Sequence, residues 1–296
     1  MFRVPIKGEE MKINMICNID GDAELNDLNA YNTVVAWFLR EAFRKRDVEG
    51  CLVKGRGLLE RPPPKADHTI VFSNIAMNYV RSNPAYLKML RKTTRGTVDL
   101  WLDAAWAGWD RYFDYIFCVA KPYSSRPPQY VHGGYGADPR YLYPEQEEKA
   151  VFLDSLMWGK YKGKYDKIYK IYTEVLPTLD LKVYSPVPVY NKSPRLPWLE
   201  MQAIRRKCHF FCVTQLGGFG LGRMETATCG ALVVQPKILN RPWLNVDLTM
   251  EIWDTREDLI RILEAPVDVA AIRKKALEHT WDKAAGRVLK VLSERN

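Results

Sequence analysis

Apolar and polar positions along the chain predict strands and helices taking turns. Residues 12–19 form a short apolar run that closes on Asp20-Gly21-Asp22, a strand running into a turn. Over 26–46 the apolar residues Leu28, Tyr31, Val34, Val35, Phe38, Leu39 and Phe43 recur at helical spacing. Arg44-Lys45-Arg46 then suits the negative end of a helix dipole. Further strands are predicted at 51–53, 69–73, 98–102 and 115–119, separated by helical or proline-rich segments such as 61–65 and 82–92.

A second alternating series follows the turn-rich stretch 131–144. Strands are predicted at 151–154, 181–184, 208–214 and 231–235, with helices at 164–176, 198–206, from Arg223, and at 256–263 and 267–293. The expected class is α/β, with two Rossmann-like domains facing a central cleft: 1–144, and 145–296 with the last helix packing back on the first domain.

Composition narrows the class. At 296 residues, 47% hydrophobic and 27% charged, the chain is long enough for two packed domains and too apolar for disorder. No apolar run approaches the ~20 residues that span a bilayer, and residues 1–11 lack the apolar stretch of a signal peptide. Six cysteines, Cys17, Cys51, Cys118, Cys208, Cys212 and Cys229, fall mostly in strand-like segments. A reduced thiol behaves there as a small hydrophobe, so the expected location is cytoplasmic. Lys and Arg number 44 against 35 Asp and Glu, a net +9 that attracts polyanions. The stretch 158–172 interleaves aromatics with Lys, a pattern that either stacks bases beside phosphates or forms an ordinary half-buried helix face.

The segment 208–235, CHFFCVTQLGGFGLGRMETATCGALVVQ, carries the most chemistry. It reads strand, glycine turn, helix, strand. Gly217, Gly218, Gly220 and Gly222 let backbone amides approach a ligand, and a helix starting near Arg223 points its positive end at the same place, so an anion belongs there. Glu225, one turn in, is placed to accept hydrogen bonds from ribose hydroxyls beside bound phosphates. The spacing fits neither the P-loop nor the dinucleotide fingerprint, which disfavours a nicotinamide oxidoreductase. Cys208-His209-x2-Cys212 has the look of metal ligands, but strand geometry turns His209 away from both cysteines.

The phrase Gly218-Phe219-Gly220 followed by Glu225-Thr226-Ala227-Thr228-Cys229-Gly230-Ala231-Leu232-Val233-Val234 resembles the C-terminal domain of GT-B glycosyltransferases, in particular the retaining group with a Glu-x7-Glu element. Weaker echoes are Gly134-Tyr135-Gly136-Ala137-Asp138 with Tyr143-Pro144, and Trp253-Asp254-Thr255-Arg256-Glu257-Asp258-Leu259. Together they cover residues 130–265, while the first 130 match only in α/β rhythm. The first Glu of the pair falls at Gly217. The family's Gly-Arg-x(n)-Lys element becomes 154–164, which has no Arg and offers Lys160, Lys162 or Lys164 instead. Gly21 alone stands for the first-turn glycine pair.

The resemblance implies a nucleotide-diphosphate sugar as donor, UDP-linked above all. It would be held on the C-terminal domain by Gly218, Phe219, Gly220, Leu221, Gly222 and Glu225 with Lys160 and Lys162, and the acceptor would sit on the N-terminal domain. Open α/β sheets bind ligands at the carboxyl edge, which makes Asp20, Asp22, Asn74 and Asp103, with Trp106, the residues to watch there. Asp103 and Asp20 are the catalytic candidates, as acid, base or acceptor-orienting groups; capping a helix is the competing role for Asp103. No tightly bound cofactor and no metal are expected, although Asp20-Gly-Asp22 has the Asp-x-Asp spacing. Small size with +9 resembles the compact bacteriophage enzymes that glycosylate hydroxymethylated bases in DNA. Duplex DNA is therefore an expected partner, met by Arg44-Lys45-Arg46, Arg91-Lys92 and Arg205-Arg206-Lys207, with Trp101, Trp106 or Trp109 to fill the gap or stack a flipped base. A saccharide, lipid or protein acceptor is the alternative, as is a non-catalytic nucleic-acid-binding protein on the same fold. The expected state is a monomer or weak dimer.

Overall fold

The computed structural model describes residues 11–19, 23–25, 28, 31–102, 108–119, 122, 125–153, 166–184, 196–214, 220–240 and 247–294. In chain order the first elements are β1 (Lys12–Cys17), α1 (Tyr31–Arg44), β2 (Glu49–Lys54), β3 (His68–Phe72), α2 (Ser73–Ile75, continued by a π turn over Ala76–Val80), α3 (Pro84–Thr93), β4 (Val98–Leu102), β5 (Ile116–Cys118) and β6 (Tyr130–His132). Next come β7 (Ala150–Leu153), α4 (Asp166–Val175), β8 (Lys182–Tyr184), α5 (Trp198–Arg206), β9 (Phe210–Cys212), α6 (Leu221–Thr228), β10 (Leu232–Pro236) and β11 (Met250–Trp253). Three helices end the chain: α7 (Arg256–Glu264), α8 (Val269–Ala276) and α9 (Trp281–Ser293). The chain divides into two compact units, 1–136 with 280–296, and 137–279.

The first unit holds a parallel sheet in the order β2-β1-β3-β4-β5-β6, and the second a parallel sheet in the order β11-β10-β9-β7-β8. Counted from its own first strand, the second sheet repeats the order of the first: the second strand lies outside the first, and the third, fourth and fifth run on from its other side. Both units are Rossmann-like, doubly wound sheets. Their inner strands are buried along almost their whole length, as β3 and β4 are, because a parallel sheet carries cover on both faces.

Strand alternation in the first unit divides its core into two. Ile16, Val71, Leu100 and Ile116 point to the side where Ile75, Val80, Tyr86 and Leu90 cover the sheet. Phe72, Trp101 and Phe117 share the other side, with Trp101 between Phe72 at 6.1 Å and Phe117 at 6.4 Å.

α9 belongs to the first unit because its side chains complete that unit's packing. Trp281 stacks on Phe38 of α1 at 5.7 Å, Arg46 donates to the Asp282 carbonyl at 3.1 Å, and Arg287 Nε donates to the Gly133 carbonyl at 2.9 Å. The approach is close enough to require glycine at 136, where a Cβ would lie 2.0 Å from the Trp281 nitrogen. The turn-rich stretch places the division after Pro144, but the structure places it after Gly136. Residues 137–144 are tied into the second unit: the Ala137 amide donates to the His279 carbonyl at 3.0 Å, and Arg273 donates to the Leu142 carbonyl at 2.5 Å.

Several motif residues have local structural roles. Thr255 and Asp258 form a capping box at the start of α7, and Asp138 accepts from the Arg140 amide at 3.0 Å in the turn at Pro139. Cys118, Cys208 and Cys229 are buried, with thiols pushed up to about 12 by burial, and act as core hydrophobes.

Candidate functional site

Each doubly wound sheet has one place where neighbouring strands send their connections to opposite sides. In such folds the crevice outside the carboxyl ends of those strands takes the ligand. In the second unit the pair is β7 and β9, and the register sets Leu153 beside Cys212 at their carboxyl ends. The segment with Lys160 and Lys162 follows β7, and the one with Gly218 and Phe219 follows β9. These four residues lie outside the described residues, but the strand ends that launch their segments are neighbours.

The described part of the motif begins at Gly220. Its backbone caps α6, which starts at Leu221, two residues earlier than the sequence predicts. The Arg223 and Met224 amides close back on the Gly220 carbonyl at 2.8 and 3.3 Å. The Leu221 and Gly222 amides lie in the first turn, where a helix has no internal acceptor to offer. A Cβ on Gly222 would sit 3.0 Å from Arg205 Nη2, so this turn approaches a guanidinium closely.

Glu225 is found in a different environment from the open carboxylate the sequence suggests. It is 3% exposed, forms an ion pair with Arg205, and accepts from Trp198 Nε1 at 2.6 Å. Burial pushes its carboxyl upward against the pull of Arg205. Arg205 also donates to Gln202 Oε1 at 3.3 Å and lies 5.5 Å over the Phe152 ring. Its Nε is buried without a hydrogen-bond partner among the described residues. α5 thus supplies a buried polar brace for the helix that carries the glycine turn. Trp198 and Gln202 were not among the sequence candidates, and Arg205 was expected to meet DNA phosphates rather than Glu225; the readable signal was the 3–4 residue spacing of the three on one helix face.

In the first unit the switch lies between β1 and β3, with β4 next to β3. Ile16 pairs with Val71, and Phe72 with Trp101, so the three carboxyl ends stand in a row. Asp20 and Asp22 follow β1, and Asp103 and Trp106 follow β4; all four lie outside the described residues. Asn74 lies just after β3 and is half-buried, with a buried Oδ1 that has no hydrogen-bond partner among the described residues. Asn32, in the first turn of α1, has a buried Oδ1 without a partner among the described residues as well. Buried polar atoms are nearly always satisfied, so each oxygen is a candidate acceptor for a ligand's donor.

Some expectations are corrected. Trp101 is fully buried between Phe72 and Phe117, and Trp109 is 6% exposed within the core, so neither is free to stack a sugar or a base. Tyr172, in the basic aromatic stretch, is fully buried, with its hydroxyl 3.0 Å from Trp253 Nε1. The basic clusters are largely engaged by the protein itself. Arg44 pairs with Glu41 at 3.2 Å, Lys45 with Asp282 at 3.9 Å, Arg91 with Asp114 at 3.0 Å and Arg206 with Glu145 at 2.9 Å, while Arg205 is buried against Glu225.

No protein-family model and no curated protein matches the sequence. Among solved structures the chain is similar to the UDP-GlcNAc 2-epimerase from Methanocaldococcus jannaschii, with a TM-score of 0.53 at 10% identity over 97% of this chain and 100% of that one. Looser likenesses are to an O-GlcNAc transferase from Thermobaculum terrenum, with a TM-score of 0.48 at 13% identity over 99% and 69% of the two chains, and to a spinosyn rhamnosyltransferase complexed with thymidine diphosphate, with a TM-score of 0.47 at 11% identity over 95% and 99%. The chain has a GT-B glycosyltransferase-like fold of two Rossmann-like units. Among the described residues no helix is long and apolar enough to cross a membrane, and no three His, Cys, Asp or Glu are grouped to hold a metal.

Proposed function

We propose that the protein binds a nucleotide-diphosphate sugar, UDP-linked, at the carboxyl ends of β7 and β9 and transfers the sugar to an acceptor hydroxyl. The observation that carries this reading is that the lysine segment and the glycine turn leave adjacent strand ends, with the first turn of α6 behind the latter. The diphosphate would accept from amides over Gly218 to Gly222, Leu221 and Phe219 included, and Lys160 and Lys162 would neutralise it as point charges. Glu225 serves by holding Arg205 and thereby the start of α6. The acceptor lies on the first unit in this reading, oriented by Asn74, Asp20 and Asp22, with Trp106 beside it and Asp103 as the base or acceptor-orienting group. No metal is required, because helix amides and lysines can take the leaving diphosphate.

One solved structure of similar fold is a UDP-GlcNAc 2-epimerase, so epimerisation of the same donor is the second reading. The acceptor suggested by charge, a hydroxymethylated base in duplex DNA, competes with a saccharide, lipid or protein hydroxyl. The ion pairs of Arg44, Arg91, Arg205 and Arg206 favour the latter group.

Thermal-shift titration with UDP, ADP and NAD tests the donor site, and UDP should raise the midpoint most; no shift with any of them defeats the proposal. Incubation with labelled UDP-sugars then separates the chemistries. Label in hydroxymethylated DNA, in glycans or in lipid identifies the acceptor, and an altered free sugar nucleotide identifies an epimerase.

A further inference from the structure

The positive surplus of this chain is concentrated. Residues 54–95 contain nine Lys or Arg against Glu60 and Asp67, a surplus of seven in a chain whose whole surplus is nine. They form the loop after β2, then β3, α2 and α3, and one core unites the loop with the helices. Leu58 packs with Ile75, Val80, Tyr86 and Leu90, and the Tyr86 hydroxyl donates to the Gly55 carbonyl at 2.8 Å. The connections β1 to β2 and β3 to β4 run in opposite directions along the sheet, so right-handed crossovers put α3 and α1 on opposite faces. The charge therefore gathers on the α3 face.

Arg91 and Arg95 are paired there with Asp114 and Asp67. Arg56, Arg61, Lys65, Arg81, Lys88 and Lys92 are exposed and form no ion pair among the described residues. Two large apolar side chains stand among them, Leu59 at 47% and Met77 at 40% exposure, each next in sequence to a core residue of that face, Leu58 and Ala76. Nucleic acid would meet the cations but gain little from Leu59 and Met77, since its interfaces are polar and charged. A bilayer with anionic headgroups suits both: cations at phosphate level, apolar tips at the headgroup–acyl boundary.

We propose that the α3 face of the first unit binds reversibly to membrane surfaces rich in anionic lipid. This does not depend on sugar transfer. The test is co-sedimentation of the full chain with vesicles of phosphatidylcholine alone or mixed with phosphatidylglycerol, at low and high salt. Binding is expected only to the mixed vesicles and should weaken with salt. Arg56→Glu with Arg81→Glu should weaken it by ~10-fold or more, since each reversal changes the local charge by two near the surface. Leu59→Ser with Met77→Ser should weaken it while leaving the salt dependence in place. Lys207→Glu with Lys274→Glu, an equal change at exposed sites elsewhere, should have much less effect. All are surface positions, so unchanged melting curves confirm folding. The proposal is overturned if the chain binds neither vesicle or both equally, if the control pair costs as much as the face pair, or if the Arg56 and Arg81 variant loses only duplex DNA binding.

Discussion

The two units share one strand order but treat a buried acid in opposite ways. In the second unit Glu225 lies under the first turn of α6 with a guanidinium and an indole against it. In the first, Asp99 is buried in β4, and its partners among the described residues are neutral: Tyr115, whose amide donates to it at 3.1 Å, and Thr97, whose Oγ1 lies 2.6 Å away and 2.9 Å from His68 Nδ1. Burial pushes the Asp99 carboxyl up to about 8, and burial pushes the His68 ring down, so a neutral chain of acid, hydroxyl and imidazole fits the site. Asp99 sits one residue into β4, toward the amino end of the sheet and away from the edge where ligands bind. The scaffold is common to both units; among the described residues the brace stands behind the first turn of α6, at the carboxyl edge where the donor is proposed to bind.

The sharpest way to break this comparison is to remove one partner of the brace. Glu225→Ala leaves Arg205 buried and unpaired, and urea unfolding should register a loss of ~3–5 kcal/mol. Replacing both partners, Arg205→Met with Glu225→Leu, should recover most of that, and failure to recover would mean that the pair does more than neutralise itself. Next in size is Gly136→Ala in the first unit. The new Cβ meets the Trp281 backbone and must displace α9, at about 3 kcal/mol, read as a lower Tm with exposure of Trp281 fluorescence.

Asp99 gives the pH test. Its folded pKa lies above the unfolded value, so between about pH 4 and pH 8 the unfolded chain is ionised while the folded chain keeps its proton. Stability must then fall as pH rises through that window, by at most about 1.4 kcal/mol per pH unit, and level off above it. Asp99→Asn, whose amide reproduces the neutral acid, should flatten the slope and exceed wild type near pH 8 by on the order of 2 kcal/mol. A slope unchanged in the variant would assign it to another group. The smallest effect is expected at Gly222→Ala, where the added methyl meets a guanidinium held in place by Glu225. Nucleotide affinity in calorimetry should drop about tenfold, or roughly 1.4 kcal/mol, with Tm little changed. Equal affinity would remove the first turn of α6 from the donor site.

The alternation of apolar runs was enough to predict two α/β halves, and the glycine phrase was enough to point to the fold, because both are local. Period-2 and period-3.6 burial need only the residue and its near neighbours, and glycines let a turn bring its amides close to an anion whatever surrounds it. Strand order was not legible. Which strands stand side by side depends on pairing across tens of residues, so only the fold sets the carboxyl end of β7 beside that of β9, and that of β3 beside that of β1. Nor was the state of each charged or aromatic side chain. Glu225 and Trp101 are typical binding residues by type, yet one is closed off by α5 and the other is clasped by Phe72 and Phe117. The elements, the net charge and the turn chemistry were all readable residue by residue. Which charges meet a carboxylate and which face water is set by the folded chain, because burial and pairing belong to residues far apart along it.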